Sequence, residues 1–311
     1  MPASYVHQSV AAHAADALSL QDSAAERSAL LAGAEGPDPM FFHGFWRCKA
    51  RGFSFRKLGL HLHAVRCPEF LWELVAGAET SVQKAYTLGF FAHYALDQIL
   101  HPYIYDQCRK GQNFGYTGGH GVLEQAIDAT LYLKDTGARW GMEPPMKDFG
   151  VFLIDKQEEK EIDELLCGAV YRAYAPLRVA HGQFREAFRH LRLGKRFISH
   201  PTSFKRKLWR GLEKTLHMKN LLTSRCAPTV LPTCDYMNLS HREWRDAQAP
   251  DVPRRDSVYE LLDRAERRAA EYMDCVQGVW DGTRTKAELF ALMKNRSYNS
   301  DAPNSSRDGR A

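Results

Sequence analysis

Apolar residues recur along this chain at the spacing of helices. Val6, Val10, Ala14 and Leu18 follow one another at four, as do Phe70, Leu74 and Ala78, and Leu123, Ile127 and Leu131. Val258 and Leu262 begin a further stripe that continues to Met273. Alternating runs rich in Val, Ile and Thr are almost absent. The pattern predicts an all-α fold of about eight to ten helices. Breaks are expected at Gly33 to Pro39, Cys67-Pro68, Pro102, Gly111 to Gly119, Gly141 to Pro145 and Gly194 to Pro201, with a long Pro-rich loop from Ala227 to Pro253. A single domain over residues 1–294 is expected, followed by a fraying tail over 295–311 that has no periodic apolar signal.

Composition narrows the class. With 311 residues, 44% hydrophobic, 25% charged and a mean hydropathy of -0.44, the chain reads as a soluble globular protein with a sizeable core. The most apolar run, Ala85 to Leu100, is interrupted by His93 and Asp97, which argues against a membrane span. The amino terminus lacks the basic start and long apolar core of an export signal, so a cytoplasmic location is expected. Seven cysteines without a CxxC suit reduced thiols better than disulfides or a zinc knuckle. Charge is uneven: Arg178 to Arg225 holds thirteen Lys/Arg against two acids. That stretch is either a solvated surface or a face that meets something anionic.

The candidate chemistry lies in histidines and carboxylates. In Gly89-Phe-Phe-Ala-His93-Tyr-Ala-Leu-Asp97-Gln-Ile-Leu-His101-Pro102, three ionisable residues fall at i, i+4 and i+8 on an otherwise apolar helix. A carboxylate buried there costs several kcal/mol, roughly, unless it is paired or bound to a cation. Pro102 is expected to end or kink this helix after His101. His120 and Glu124 repeat the one-turn spacing, and Asp128 follows as an acceptor suited to holding a histidine tautomer. Upstream lie Asp38, in Gly36-Pro37-Asp38-Pro39, and the pair His61 and His63, of which at most one joins a given site. Nitrogen and oxygen donors without sulfur favour zinc over calcium or magnesium, and the absence of Glu-x-x-His argues against a helical di-iron site. HExxH, GxSxG, a Walker A loop and an adjacent His-Asp pair are missing.

The order His, Gly-Pro-Asp, His, His-xxx-Asp-xxx-His-Pro, His-xxx-Glu resembles the bacterial zinc-dependent phospholipase C family, whose distant relatives include fungal single-strand nucleases. The likeness takes in Leu31-Ala-Gly-Ala-Glu-Gly-Pro-Asp38-Pro39 and Asn238-Leu-Ser-His-Arg-Glu-Trp244, and spans about residues 2–275. It implies one compact multi-helix domain of the phospholipase C and zinc nuclease type. It implies one zinc held by Asp38, His63, His93 and Asp97 and another held by His101, His120 and Glu124. A third zinc in secreted members uses the amine exposed by cleavage of an export peptide. No such cleavage is foreseen here, and His7 is kept as a candidate ligand through a rearranged shell. The choice of His63 over His61 rests on distance from Gly59.

The resemblance and the donor set together imply a zinc-dependent phosphodiesterase acting on a phospholipid or a smaller phosphodiester. Asp38 is the candidate catalytic residue, as ligand and proton acceptor. Phe41, Phe42, Phe45 and Trp46 follow it and suit an acyl wall, a base-stacking platform or plain core. Two alternatives stand beside this reading: a helical module that metals merely staple, and a nuclease-like activity tracking phosphates along the basic stretch, with nucleic acid the less favoured partner. Peripheral contact with an anionic membrane is a further expectation. The remaining histidines (43, 181, 190, 200, 217 and 241) have no evident partner at ligand spacing and read as structural.

Overall fold

The computed structural model describes residues 4–20, 23–44, 54–137, 142, 144–198, 203–217 and 222–303. Among these are thirteen α-helices: α1 (Ser4–Ala17), α2 (Ala24–Gly33), α3 (Pro39–Phe42), α4 (Phe55–Ala64), α5 (Cys67–Gly77), α6 (Ser81–Gln107), α7 (Gly119–Thr136), α8 (Gly150–Leu153), α9 (Lys156–Ala173), α10 (Gln183–Ile198), α11 (Ser203–Thr215), α12 (Val258–Trp280) and α13 (Lys286–Met293). The protein is therefore all-α. The count exceeds the expected eight to ten partly because α3 and α8 are single turns of four residues. Among the described residues the one sheet is a two-stranded antiparallel pair, β1 (Trp244–Arg245) with β2 (Pro253–Arg254), inside the Pro-rich loop. The six described cysteines are free thiols.

Helix α6 is the axle. Thr80 opens it with a capping box, its hydroxyl accepting from Gln83 N–H while the Gln83 side chain accepts from Thr80 N–H. Every residue from Ala85 to Ile104 is buried, as befits a helix apolar nearly all round. Pro102 does not end it. The helix continues to Gln107, and His101 keeps its place on the same stripe as Asp97. One missing N–H is a modest loss in a helix held on all sides by packing.

Two glycines let α2 cross α6 at very short range. A Cβ on Gly33 would lie 2.1 Å from the Tyr86 carbonyl oxygen, and one on Gly89 2.0 Å from that of Leu30. The crossing brings the end of α2 over the middle of α6. It thereby delivers the turn Ala34 to Asp38 onto His93.

The expected tail is a correction. Residues 295–303 return to the core: Tyr298 is 0% exposed, its N–H donates to the His63 carbonyl at 3.1 Å, and the Arg296 carbonyl accepts from the Tyr94 hydroxyl at 2.8 Å. One aromatic anchor, backbone bonds and the ion pairs of Asp301 with Arg268 and Arg296 hold this segment, so no periodic pattern announces it. Residues 304–311 lie outside the described part.

Candidate metal centre

Seven of the eight predicted ligands stand on four segments, and the structure brings them into one buried cluster with His7 of α1. Asp97 is its hub. Its carboxylate oxygens lie 3.2 Å from His93 Nε2, 3.6 Å from His101 Nε2, 3.6 Å from His7 Nε2 and 3.8 Å from His63 Nε2. Asp38 is 3.7 Å from His63 Nε2. Glu124 sits 2.9 Å from His120 Nε2 and 3.6 Å from His101 Nε2. Donor atoms gather closely enough to share an ion in three sets: Asp38, His63 and His93; His7, His93 and Asp97; and His101, His120 and Glu124. The cluster is graded in depth, from His93, 1% exposed at its side chain, to His120, 35% exposed.

The backbone decides how the imidazoles face. His93 Nδ1 meets the Ala34 carbonyl at 2.9 Å, His63 Nδ1 that of Gly59 at 2.7 Å, and His101 Nδ1 that of Tyr298 at 3.0 Å. Each Nδ1–H donates to a carbonyl, which leaves Nε2 as a lone pair in the neutral ring. Those lone pairs converge on carboxylate oxygens that are acceptors as well. His93 Nε2 is buried without a hydrogen-bond partner despite its nearness to Asp97. Acceptor facing acceptor in a dry interior requires a proton or a cation between them. A divalent ion bound by imidazole Nε2 and carboxylate oxygen, with the Nδ1–H of His63, His93 and His101 held from outside, satisfies these three rings and their carboxylates at once. The residues fit zinc.

Without an ion, the titration of these groups shows the same tension. Burial alone disfavours a charged His93, but the adjacent Asp97 carboxylate outweighs it and holds the imidazole up to about 9. Burial likewise works against an ionised Asp97, yet His101 and His93 pull its carboxyl far below the usual range. Burial brings His63 down to about 4, so this ring stays neutral. Asp38 is pushed up to about 7 by burial, partly opposed by His93.

Local structure explains the placements. Gly36, with φ +53°, makes the turn that carries Asp38, and a Cβ there would sit 2.5 Å from the His93 ring. Gly59 lets α4 close on α3, where its Cβ would meet Met40 Cβ at 3.2 Å, so His63 at the far end of α4 reaches Asp38. His61 points away onto Tyr174, ring centroids 4.9 Å apart. His7 stacks on His93 at 4.2 Å.

Other expectations shift. Asp128 holds no histidine; its carboxylate accepts the Val6 N–H at 2.8 Å and so anchors α1 beside the cluster. Phe41 tilts against His63 at 5.4 Å and Phe42 is core, while Phe45 and Trp46 lie outside the described residues. Tyr298 went unnoticed: its carbonyl orients His101 and its ring covers His63 at 4.9 Å and His93 at 5.8 Å. The sole hint was a lone aromatic in a polar stretch.

His43 and His190, read as partnerless, meet around Glu186, with Nε2 to oxygen distances of 3.2 and 3.6 Å. Glu186 and His190 are in fact one turn apart. Here the backbone sets the opposite tautomer, because Gly44 N–H donates to His190 Nδ1 at 3.1 Å and leaves the proton on Nε2. His43 Nε2 is hydrogen-bonded to Glu186 at 3.2 Å, and although the donor atoms of the three residues are near enough to share an ion, the Nδ1 lone pair of His190 is already taken by Gly44, which makes this the poorer metal site. Asp163 near His181 is committed to capping α10, accepting from Gly182 and Phe184 N–H. His13 pairs with Glu266, His217 and His241 are exposed, and His200 lies outside the described residues.

The family model for zinc-dependent phospholipase C matches residues 6–173, more than half of the chain. The chain belongs to the zinc-dependent phospholipase C family, and with it to the zinc hydrolases. The matched segment contains every residue of the cluster described above except Tyr298. Among curated proteins and among solved structures there is no significant match.

Proposed function

From that membership we propose that the protein is a phosphodiester hydrolase of the phospholipase C kind, with two zinc ions in the Asp97-centred cluster. Asp38, His63, His93 and Asp97 hold one, and His101, His120 and Glu124 the other. His7, stacked on His93 and 3.6 Å from Asp97, stands ready as a further ligand. The observation that carries the reading is the common orientation of His63, His93 and His101, each donating Nδ1–H to a carbonyl and turning Nε2 to a carboxylate. When bound, zinc supplies charge neutralisation at the phosphoryl oxygens and acidifies a coordinated water.

The protein's own part is positioning and proton transfer. Asp38 takes the proton of the attacking water, a role supported by its Pro-flanked turn and its place 3.7 Å from His63 Nε2 within the cluster. The new P–O bond forms from that water as the bond to the alcohol oxygen breaks, giving a phosphomonoester and an alcohol. The buried ring of Tyr298, against His63 and His93, limits competing water on that side.

A phospholipid substrate needs a route to the lipid surface, and α11 offers one. Its inward side is made by Arg206, Trp209 and Glu213, while Leu208 and Leu212 stand 54% and 39% exposed beside outward Lys207, Arg210 and Lys214. Phe197, 53% exposed, adjoins them through the Trp209 indole, which donates to its carbonyl at 3.0 Å. Apolar side chains flanked by lysine and arginine suit the interface of an anionic bilayer. No described helix is long and apolar enough to cross a membrane. The basic stretch is not one face, however: Lys195 is buried against Ser4 and Phe149, and Arg192 is paired with Glu159.

The test is a panel of phosphodiesters, lipid and soluble, offered to zinc-loaded protein. Release of phosphoalcohol that stops with a chelator, returns with zinc and is lost in Asp38→Asn is expected. Turnover that survives complete removal of zinc, or its absence in fully loaded protein, overturns the reading.

A further inference from the structure

Arg225 occupies a short 3-10 turn, Thr223–Arg225, whose position is fixed from two sides. Glu213 of α11 accepts the backbone N–H groups of Leu222 and Thr223. On α7, Gly121 makes room for the turn, since a Cβ there would lie 3.0 Å from the Ser224 carbonyl oxygen. Gly121 follows His120 and precedes Glu124, so the turn sits on the end of α7 that bears both. On the other side, the Arg225 guanidinium lies 5.7 Å from the centre of the Phe42 ring, four residues beyond Asp38. The side chain thus runs from a turn packed on the His120–Glu124 end of α7 to Phe42, the last residue of the short helix that Asp38 opens.

Its pairing is unusual for this molecule. Half-buried Arg192 and Arg268 and buried Arg296 each face a carboxylate, and Arg206 donates to the Cys226 and Ala227 carbonyls. Among the described residues no carboxylate lies within ion-pair distance of Arg225, although the charges of Glu124 and Asp38 are felt there. Burial lowers the guanidinium's pKa and the like charge of Arg56 adds to that effect; Arg56 belongs to α4, which packs on α3, the helix of Phe42. Arg56 is exposed on the first turn of α4, seven residues and two helical turns before His63, hence on the same face. Both guanidinia remain charged at any ordinary pH.

Charge balance gives the pair a use, granted the zinc hydrolase reading. Two divalent ions against Asp38, Asp97 and Glu124 leave one positive charge, which the phosphodiester itself neutralises. Arg225 and Arg56 are then surplus cations at the rim. We propose that they form an anion-binding wall, and that the substrate is a phosphodiester whose headgroup carries a further negative charge, such as a second phosphate, instead of a quaternary ammonium. A planar guanidinium suits bidentate grip of phosphate oxygens, whereas a cationic headgroup meets two like charges there.

Three lipids with the same acyl chains, each diluted in nonionic micelles to hold surface charge low, distinguish the possibilities: phosphatidylinositol 4-phosphate, phosphatidylglycerol and phosphatidylcholine. The expected kcat/KM falls in that order, with at least about tenfold between first and last. Arg225→Gln is expected to compress that preference by about tenfold with zinc content unchanged, and Arg225→Lys to restore part of it. Preference for phosphatidylcholine, or equal loss on all three lipids in Arg225→Gln, overturns the proposal. Calorimetric binding of inositol 1,4-bisphosphate separates this idea from the hydrolase reading. If loaded protein cleaves none of the lipids, hydrolysis falls, and the anion site stands only if the bisphosphate binds about tenfold more weakly to Arg225→Gln.

Discussion

Gly36→Ala puts the geometry of the centre under direct strain. At φ +53° an L side chain costs about 1–2 kcal/mol in backbone energy alone. The added Cβ would lie 2.5 Å from His93 Cγ and Cδ2, nearly an ångström inside ordinary contact. His93 has nowhere to go, because its Nδ1–H is bonded to Ala34, its other face is stacked on His7 and its side chain is 1% exposed. Such overpacking adds about 1–3 kcal/mol. Together these give about 2–5 kcal/mol, or a fall in Tm of roughly 3–8 °C for a chain of 311 residues. A ligand displaced by an ångström also lowers activity by about a hundredfold. Gly137→Ala is the control: φ there is +60° with nothing within 4 Å, so it carries the backbone cost without the clash. Thermal unfolding with and without zinc, beside elemental analysis, reads both variants. Equal Tm for the two, or full zinc content in Gly36→Ala, refutes the reasoning that Gly36 is kept small to seat His93.

Three further outcomes are expected. Asp97→Asn removes the only negative charge shared by His7, His63, His93 and His101, so it should strip the protein of zinc and cost about 3–5 kcal/mol in denaturant titrations; unaltered metal content would contradict this. In metal-free protein the raised His93 pKa stabilises the fold fully below about 6.5 and ceases to do so as pH rises through about 9, so the apo Tm should fall over that window. Zinc must displace the same proton, and its apparent affinity should climb with pH up to about 9, visible as proton release in calorimetry with buffers of different ionisation enthalpy. Finally, Leu208→Asp with Leu212→Asp should weaken binding to anionic vesicles while sparing hydrolysis of a soluble short-chain phosphodiester; vesicle affinity equal to that of the parent protein would remove α11 from the lipid interface.

The parts of the centre that rest on local periodicity were legible in the sequence. His93, Asp97 and His101 share a face because 3.6 residues make a turn, and the same rule joins His120 to Glu124. The apolar surroundings of Asp97 already required a compensating charge. Less was visible wherever tertiary structure decides. Glu186 and His190 sit one turn apart as His93 and Asp97 do, yet the Gly44 amide fixes the other tautomer. Asp128 has ligand spacing from Glu124 and instead caps the backbone of α1. Pro102 carries a strong breaker signal, but packing on all sides of α6 outweighs one absent hydrogen bond. Tyr298 illustrates the opposite case: a buried ring, backbone contacts and the ion pairs of Asp301 order a segment that composition alone would leave frayed. The close crossing of α2 and α6 needed Gly33 and Gly89 to be seen together, and nothing in the linear order pairs them.

Anomalous diffraction at the zinc edge, from crystals grown with zinc, tests the central claim most directly. Two peaks are predicted, one among Asp38, His63, His93 and Asp97 and one among His101, His120 and Glu124. An empty cluster, or zinc found only at His43, Glu186 and His190, would contradict the account.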